Sequence, residues 1–380
     1  MGDTVYRISE DNMRVLGRTI EIGGVTWLGY SGSGIEFLTD AEDVSIEAMA
    51  VTATGMQSDY AYLGIIMNDG ERVTSRLRVA RELRSYDILH NPKHRKVKIR
   101  VVKLTEERYD KAGLVSVTAS GGVITASRRR TRRILFIGDS LTAGYGVLGG
   151  SVPMQDYSFT TEDESITRAY PYLAAEHLEA DAQFFCWSGN GVISHYIDES
   201  TDIPITKDLM PALYPLTAAN TEEVVKINLQ ARRKKSFISD SDETDQEDGP
   251  HLLNRWAFSP DLIVSNLGTN DASFVRGVSV RERHFEQHYL AFLKSIARDY
   301  PFAKVLVTYG LMEKTLSGAC ERVALMGDYE YLEFPLMDPE LDGIGGGGHP
   351  GIVTHEKTAD ILCYKICQMT GWNTLINGGI

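Results

Sequence analysis

The stretch Ile134–Gly144 reads ILFIGDSLTAG, an apolar strand that runs into a tight Gly138-Asp139-Ser140 turn and then into a helical start. That places Ser140 where a nucleophile belongs. A serine hydroxyl attacks only when geometry, a base and donors for the developing anion converge on it. The outward-pointing backbone N–H groups at a helix start are donors of this kind. The same turn also suits an ordinary capped helix, so the surrounding chain has to discriminate.

Downstream, strand and helix patterns alternate. Ile134–Ile137 reads as a buried strand, Arg168–Leu178 as a helix, and Ala182–Trp187, Leu262–Asn266 and Lys304–Thr308 as further strands. Over Glu282–Asp299, the residues Phe285, Tyr289, Phe292, Leu293 and Ile296 fall on one stripe, as in a helix that covers a sheet. The implied fold class is α/β, a parallel sheet with helices on both faces, whose sites form where loops leave the carboxyl ends of strands. Ser140 sits at such an end.

Upstream the period is different. From Arg18 to about Thr125 the chain shows short alternating segments around Val44/Ile46, Tyr60–Met67 and Val97/Ile99/Val101, separated by turn residues such as Asn68-Asp69-Gly70. An all-β sandwich is expected there. The basic run Arg128–Arg133 reads as a solvated linker, giving a β-sandwich domain over residues 1–126 and an α/β domain over 127–380. Between Leu216 and Trp256 the pattern degrades into a helix over Val224–Gln230, a basic run and an acidic insertion at 236–250, which reads as an exposed loop.

A formal net charge of −13 disfavours nucleic acid and anionic lipid as partners, because such binding is driven by clustered cations. A neutral substrate fits better. No apolar run approaches the roughly 18 residues that would span a bilayer, so no membrane partner is expected. The start MGDTVYRISEDNMRV lacks the layout of a secretory signal, which makes a cytoplasmic location the expectation and secretion the alternative for a chain trimmed of its leader. The four cysteines, Cys186, Cys320, Cys363 and Cys367, show no paired CxxC spacing. Free thiols, no structural metal and no cofactor are expected; oligomeric state is left open.

Three more segments fall at the loops where a doubly wound sheet carries function: WSGNGV at the strand ending at Trp187, LGTND after the strand ending near Asn266, and GGGGHPGIVTH near the C-terminus. Ser140, Gly191, Asn270 and His349, in that order, resemble the four blocks of the SGNH (GDSL) hydrolase superfamily. The resemblance implies an α/β/α sandwich of flavodoxin-like kind. It also implies an oxyanion hole formed by the Ser140 and Gly191 N–H groups with the Asn270 side chain, and His349 as the base that takes the Ser140 proton. Those residue types suit the chemistry: glycine lets backbone approach substrate, and an amide donates without adding charge. Gly189 competes with Gly191 for its role, and His195 and His355 are the other histidines near the blocks.

Most SGNH enzymes carry an aspartate three residues before the histidine, and here that position is Gly346. An imidazole still needs its Nδ1–H held, so a nearby backbone carbonyl ranks first and Asp342 second, with Asp338 a further competitor. A β-sandwich followed by a GDSL block and a histidine without its aspartate resembles the family 2 carbohydrate esterases, as do RVVKLTEE at Arg100–Glu107, Tyr214-Pro215 and HPGIVTH at His349–His355. The resemblance implies a jelly-roll N-terminal domain and metal-free removal of O-acetyl groups from xylan, glucomannan or mannan through an acetyl-serine intermediate. Aromatic residues stack on sugar C–H faces, which makes Trp187, Tyr145, Tyr214 and Trp256 the candidate platforms. The rival readings are a lipase or thioesterase acting on longer acyl chains, and a non-catalytic carbohydrate-binding protein.

Overall fold

The computed structural model describes residues 2–52, 59–68, 70, 72–150, 152, 156–217, 253–254 and 257–374. The expected helix at Val224–Gln230, the acidic insertion at 236–250 and Trp256 lie outside the described residues.

The chain divides into two compact units, with the break between Arg128 and Arg129. Pro215–Thr217 and Leu253 group with the first unit, whereas the expected boundary at 126/127 assigned everything after it to the second. The first unit holds two antiparallel sheets of six strands each. Its longest strands, Asp43–Thr52 and Asp110–Ser120, pair along their length with one irregularity between Leu114 and Ser116. Alternation explains the packing. Val44 and Ile46 from one sheet and Ile35, Phe37, Ile99 and Val101 from the other send every second side chain into one apolar core. The charged neighbour Arg100 is also buried, because its guanidinium bonds Glu36 at 2.8 Å. Burial raises the Glu36 pKa, but Arg100, Ser127 and Arg14 outweigh that and hold it at about 2.

The second unit is built on one parallel sheet. Numbered in chain order within it, the strands are β1 Arg132–Gly138, β2 Ala180–Cys186, β3 Leu262–Asn266, β4 Lys304–Leu311 and β5 Glu330–Leu336. Their spatial order is β2-β1-β3-β4-β5, the flavodoxin-like arrangement, with its switch point between β1 and β3. Ile134–Ile137 and all of β3 are buried, as continuous apolar runs in a parallel sheet should be. The helix Ser279–Asp299 buries the five stripe residues read from the sequence. The helices Tyr170–His177, where the sequence pattern expects one, Ser317–Gly327 and the long C-terminal Ile352–Thr370 also belong to this unit.

The basic run is less of a linker than expected. Arg132 and Arg133 open β1, and Arg130 forms a two-pronged bond to Glu176 at 2.8 and 2.9 Å. No helix among the described residues is long and apolar enough to cross a membrane.

Candidate active site

Three of the four functional blocks leave the carboxyl ends of the adjacent strands β1, β2 and β3. β1 ends at Gly138, and Asp139 caps the one-turn helix Ser140–Ala143 by accepting from the Leu141 N–H at 3.1 Å. β2 is followed by the 187–194 loop, and β3 by the helix Thr269–Val275 that carries Asn270. His349 stands before the helix Ile352–Thr370, at the end of a glycine turn.

The structure brings Ser140 and His349 together, with Oγ 3.0 Å from Nε2 although 209 residues separate them. Nδ1 lies 3.2 Å from the Gly347 carbonyl. A carbonyl only accepts, so the proton sits on Nδ1 and the lone pair of Nε2 faces the serine hydroxyl, the tautomer a general base requires. The two carboxylates that competed for this role are occupied elsewhere. Asp342 accepts from the Lys357 ammonium at 2.5 Å, and Asp338 caps Glu340 and Leu341 at 3.0 Å.

Burial lowers the His349 pKa to about 4, despite the Gly347 and Gly346 carbonyls, which favour the protonated ring. A free base is therefore ready throughout the neutral range. The acid limb of kcat/KM on a water-soluble acetyl ester is expected near pH 4, where an ordinary imidazole would place it near 6.5. Acid unfolding has to be followed in parallel by circular dichroism. His349 and His355 bind protons in the unfolded chain at about 6.5 but in the folded one only near 4 and 3, so acidification through that window favours unfolding.

The other histidines are engaged. His355 is fully buried, and its Nδ1 accepts from the Tyr170 N–H at 3.2 Å. His195 Nε2 lies 2.6 Å from the Lys207 carbonyl.

Asn270 is buried beside the serine turn. Its Nδ2 donates to the Asn190 carbonyl at 3.0 Å and reaches Asp139 Oδ2 at 3.3 Å, which joins three of the four blocks. Gly191 lies in a close approach that only glycine permits, since a Cβ there would stand 2.1 Å from the Ser194 carbonyl oxygen. Gly189 has a left-handed backbone (φ 77°), and its carbonyl accepts from Tyr196.

Sequence reasoning missed Asp271. Its buried carboxylate accepts from the N–H groups of Val192, Ile193 and Ser194 at 2.7 to 3.1 Å and so pins the loop that follows Gly191. Burial raises its pKa to about 6 against those bonds. Adjacency to Asn270 in LGTND was the available signal.

The aromatic platforms need correction. Tyr214 is 5 % exposed, with its ring edge-on to Phe185 and Phe292, so it is a core residue with no face for a sugar. Trp187 is only 7 % exposed, and burial likewise withholds its faces. Tyr145 does reach the site, 4.5 Å from the His349 ring between centroids, but Phe159 stacks on it at 4.0 Å and covers one face. Among the described residues no cluster of histidine, cysteine, aspartate or glutamate could hold a metal ion, and the four cysteines are free thiols.

Residues 134–321 match the family model of GDSL-like lipases and acylhydrolases. The cellulase/esterase CelE of Acetivibrio thermocellus is 27 % identical over 268 residues, covering 67 % of this chain and 27 % of that protein. This chain therefore spans about a quarter of that relative's length. An acetylxylan esterase/glucomannan deacetylase of Cellvibrio japonicus is 22 % identical over 373 residues, covering 96 % of this chain and 90 % of the relative. The solved structure of a family two carbohydrate esterase from Cellvibrio japonicus superposes with a TM-score of 0.76 at 18 % identity, over 98 % of this chain and 99 % of the other. Residues 134–321 of the second unit thus resemble the GDSL-like lipases and acylhydrolases, and the chain, an antiparallel β-rich unit and a parallel-sheet α/β unit, has the fold of a family 2 carbohydrate esterase.

Proposed function

We propose that the chain is a carbohydrate O-acetylesterase that works through an acetyl-serine intermediate on Ser140. The observation that carries this is the Ser140–His349 contact at 3.0 Å, with His349 held in the base tautomer by the Gly347 carbonyl. The substrate class follows from the likeness to an acetylxylan esterase/glucomannan deacetylase over nearly the whole chain.

In this reading Ser140 Oγ attacks the acetyl carbonyl carbon while His349 Nε2 takes the hydroxyl proton. The oxyanion forms among the Ser140 N–H, the Gly191 N–H and the Asn270 amide, which exchanges its longer bond, to Asp139 Oδ2 at 3.3 Å, for one to the oxyanion; all three residues are buried, where such donors are worth most. Collapse of the tetrahedral species breaks the bond to the sugar oxygen, which leaves with the proton from His349. Water then attacks the acetyl-enzyme with His349 again as base, releasing acetate and restoring the serine.

Acetate release from acetylated xylan, glucomannan and mannan oligosaccharides tests the reading. Release from at least one of them is expected, together with faster turnover of an aryl acetate than of an aryl octanoate. Rates that rise with acyl length would move the assignment to the lipases and thioesterases. Glycan binding by the wild-type protein without turnover would make it a binding protein.

A further inference from the structure

The carbonyl that orients His349 belongs to a turn of four glycines, Gly345–Gly348, and the space beside that turn is filled from elsewhere in the chain. A Cβ on Gly346 would stand 2.2 Å from the Tyr157 ring, and one on Gly347 would stand 3.0 Å from it. The Tyr157 ring thus occupies the volume a side chain at position 346 would need, the position where most SGNH enzymes carry their aspartate. An aspartate at 346 and this tyrosine cannot share the site.

The ring is itself fixed. The Tyr157 hydroxyl donates to Asp163 Oδ2 at 3.0 Å. Asp163 is tied back by its own backbone, its N–H donating to Thr160 at 3.0 Å and its carbonyl accepting from Leu148 at 2.9 Å. Gly149 closes the other edge, since a Cβ there would be 3.1 Å from both the Tyr157 ring and the Gly346 Cα. From the opposite direction the Gly346 N–H donates to the Gly146 carbonyl at 2.7 Å. Gly347 takes a left-handed backbone (φ 63°), so the direction of its carbonyl depends on the turn staying where these contacts hold it.

We propose that Tyr157, anchored by Asp163, is a positioning residue for the acyl transfer: its ring wedges the Gly346–Gly347 turn so that the Gly347 carbonyl faces His349 Nδ1, the orienting task of a triad's third member. The proposal rests on Ser140 and His349 forming the reactive pair.

The test uses Tyr157→Ala, Tyr157→Phe, Gly346→Ala and the Tyr157→Ala/Gly346→Ala double variant. Each is followed by the rate at which a fluorophosphonate labels Ser140, by kcat and KM on an aryl acetate, and by the ¹⁵N resonances of the His349 imidazole. Tyr157→Ala is expected to slow labelling and kcat about 10- to 100-fold with KM within about threefold, the scale of a misplaced catalytic group. Its imidazole resonances should move from the Nδ1–H form toward a tautomer mixture. Tyr157→Phe keeps the ring and should lose several-fold less. Gly346→Ala should cost a similar factor by driving a methyl into the ring, and the double variant should lose less than the product of the two singles.

Equal labelling of wild type and Tyr157→Ala with unchanged imidazole resonances would overturn the proposal, as would a double variant whose loss equals the product. If Tyr157→Ala does not fold, Tyr157→Phe and Gly346→Ala decide by the same resonances. A wild-type protein that is not labelled at Ser140 would instead overturn the serine–histidine pair and this proposal with it, while labelling is independent of which sugar is the substrate.

Discussion

Ser140→Ala is expected to lower the turnover of acetyl esters by about 10³- to 10⁵-fold while leaving substrate affinity and fold intact. The range follows from what each part of a serine–histidine device contributes. Removing the nucleophile of a complete triad costs about 10⁶ in kcat, and removing the carboxylate alone costs about 10⁴ of that. Without its carboxylate a triad would keep only about 10² of that factor; here the Gly347 carbonyl supplies the orientation of the imidazole but not the negative charge that stabilises the imidazolium, so this protein should fall between about 10² and 10⁶. Residual rate over water should persist, because Asn270 and the loop after Gly191 are held by Asp139, Asn190 and Asp271, not by the serine hydroxyl. The variant should also keep its melting temperature within a few degrees, since the lost hydroxyl is one oxygen in a site that remains packed. Steady-state kinetics on an aryl acetate, with binding of an acetylated oligosaccharide measured separately, checks all three statements. A loss under tenfold would remove Ser140 from the mechanism.

His349→Ala is expected to cost nearly as much as Ser140→Ala, and the double variant Ser140→Ala/His349→Ala little more than either alone. The hydroxyl at 3.0 Å from Nε2 is a weak nucleophile without a base, and the base has nothing to activate without the hydroxyl, so the two act as one unit. The alternative bases cannot substitute. The His355 ring is buried, its Nδ1 already accepts from Tyr170, and burial together with His349 lowers its pKa to about 3. His195 is bonded to the Lys207 carbonyl. If the His349→Ala loss were small, or if the double variant lost the product of the single effects, the two residues would be acting in separate steps. Rates of the three variants on one acetyl ester decide between these outcomes.

The strand and turn around Ser140 were legible because everything that defines them is local: an apolar run of strand length, a capping aspartate and a helix start within eleven residues. The stripe from Phe285 to Ile296 was legible for the same reason. The pairing of Ser140 with His349 came from block order, not from any local pattern. The aromatic residues show where local reading ends. Tyr214 and Trp187 carry the right chemistry for a sugar platform, but whether a ring faces solvent or Phe185 and Phe292 depends on the packing of β2 and the long helix, which spacing does not encode.

The roles of Asp271 and Tyr157 were not legible for a related reason. A lone aspartate after an asparagine reads as a helix-start residue, and its work on the Val192–Ser194 N–H groups exists only once β2 and β3 lie on either side of β1. The glycine run Gly345–Gly348 reads as flexible. In the structure it is packed against Tyr157 and bonded to Gly146, so the absence of side chains there marks crowding and not freedom. A backbone carbonyl as the partner of His349 was inferred from the missing aspartate, and the residue that supplies it became identifiable only from the turn's conformation.

Ser140 is expected to become acetylated during turnover, with His349 as its base. Rapid acid quenching of the wild-type protein during hydrolysis of an activated acetyl ester, followed by mass spectrometry of the peptide that holds Ser140, tests it most directly. An acetyl group's mass on Ser140, appearing at the burst rate, decaying with deacetylation and absent in His349→Ala, is the predicted result. Full turnover with Ser140 unmodified at every quench time, at a substrate concentration where a trapped nucleophile must be acetylated before product appears, would contradict it.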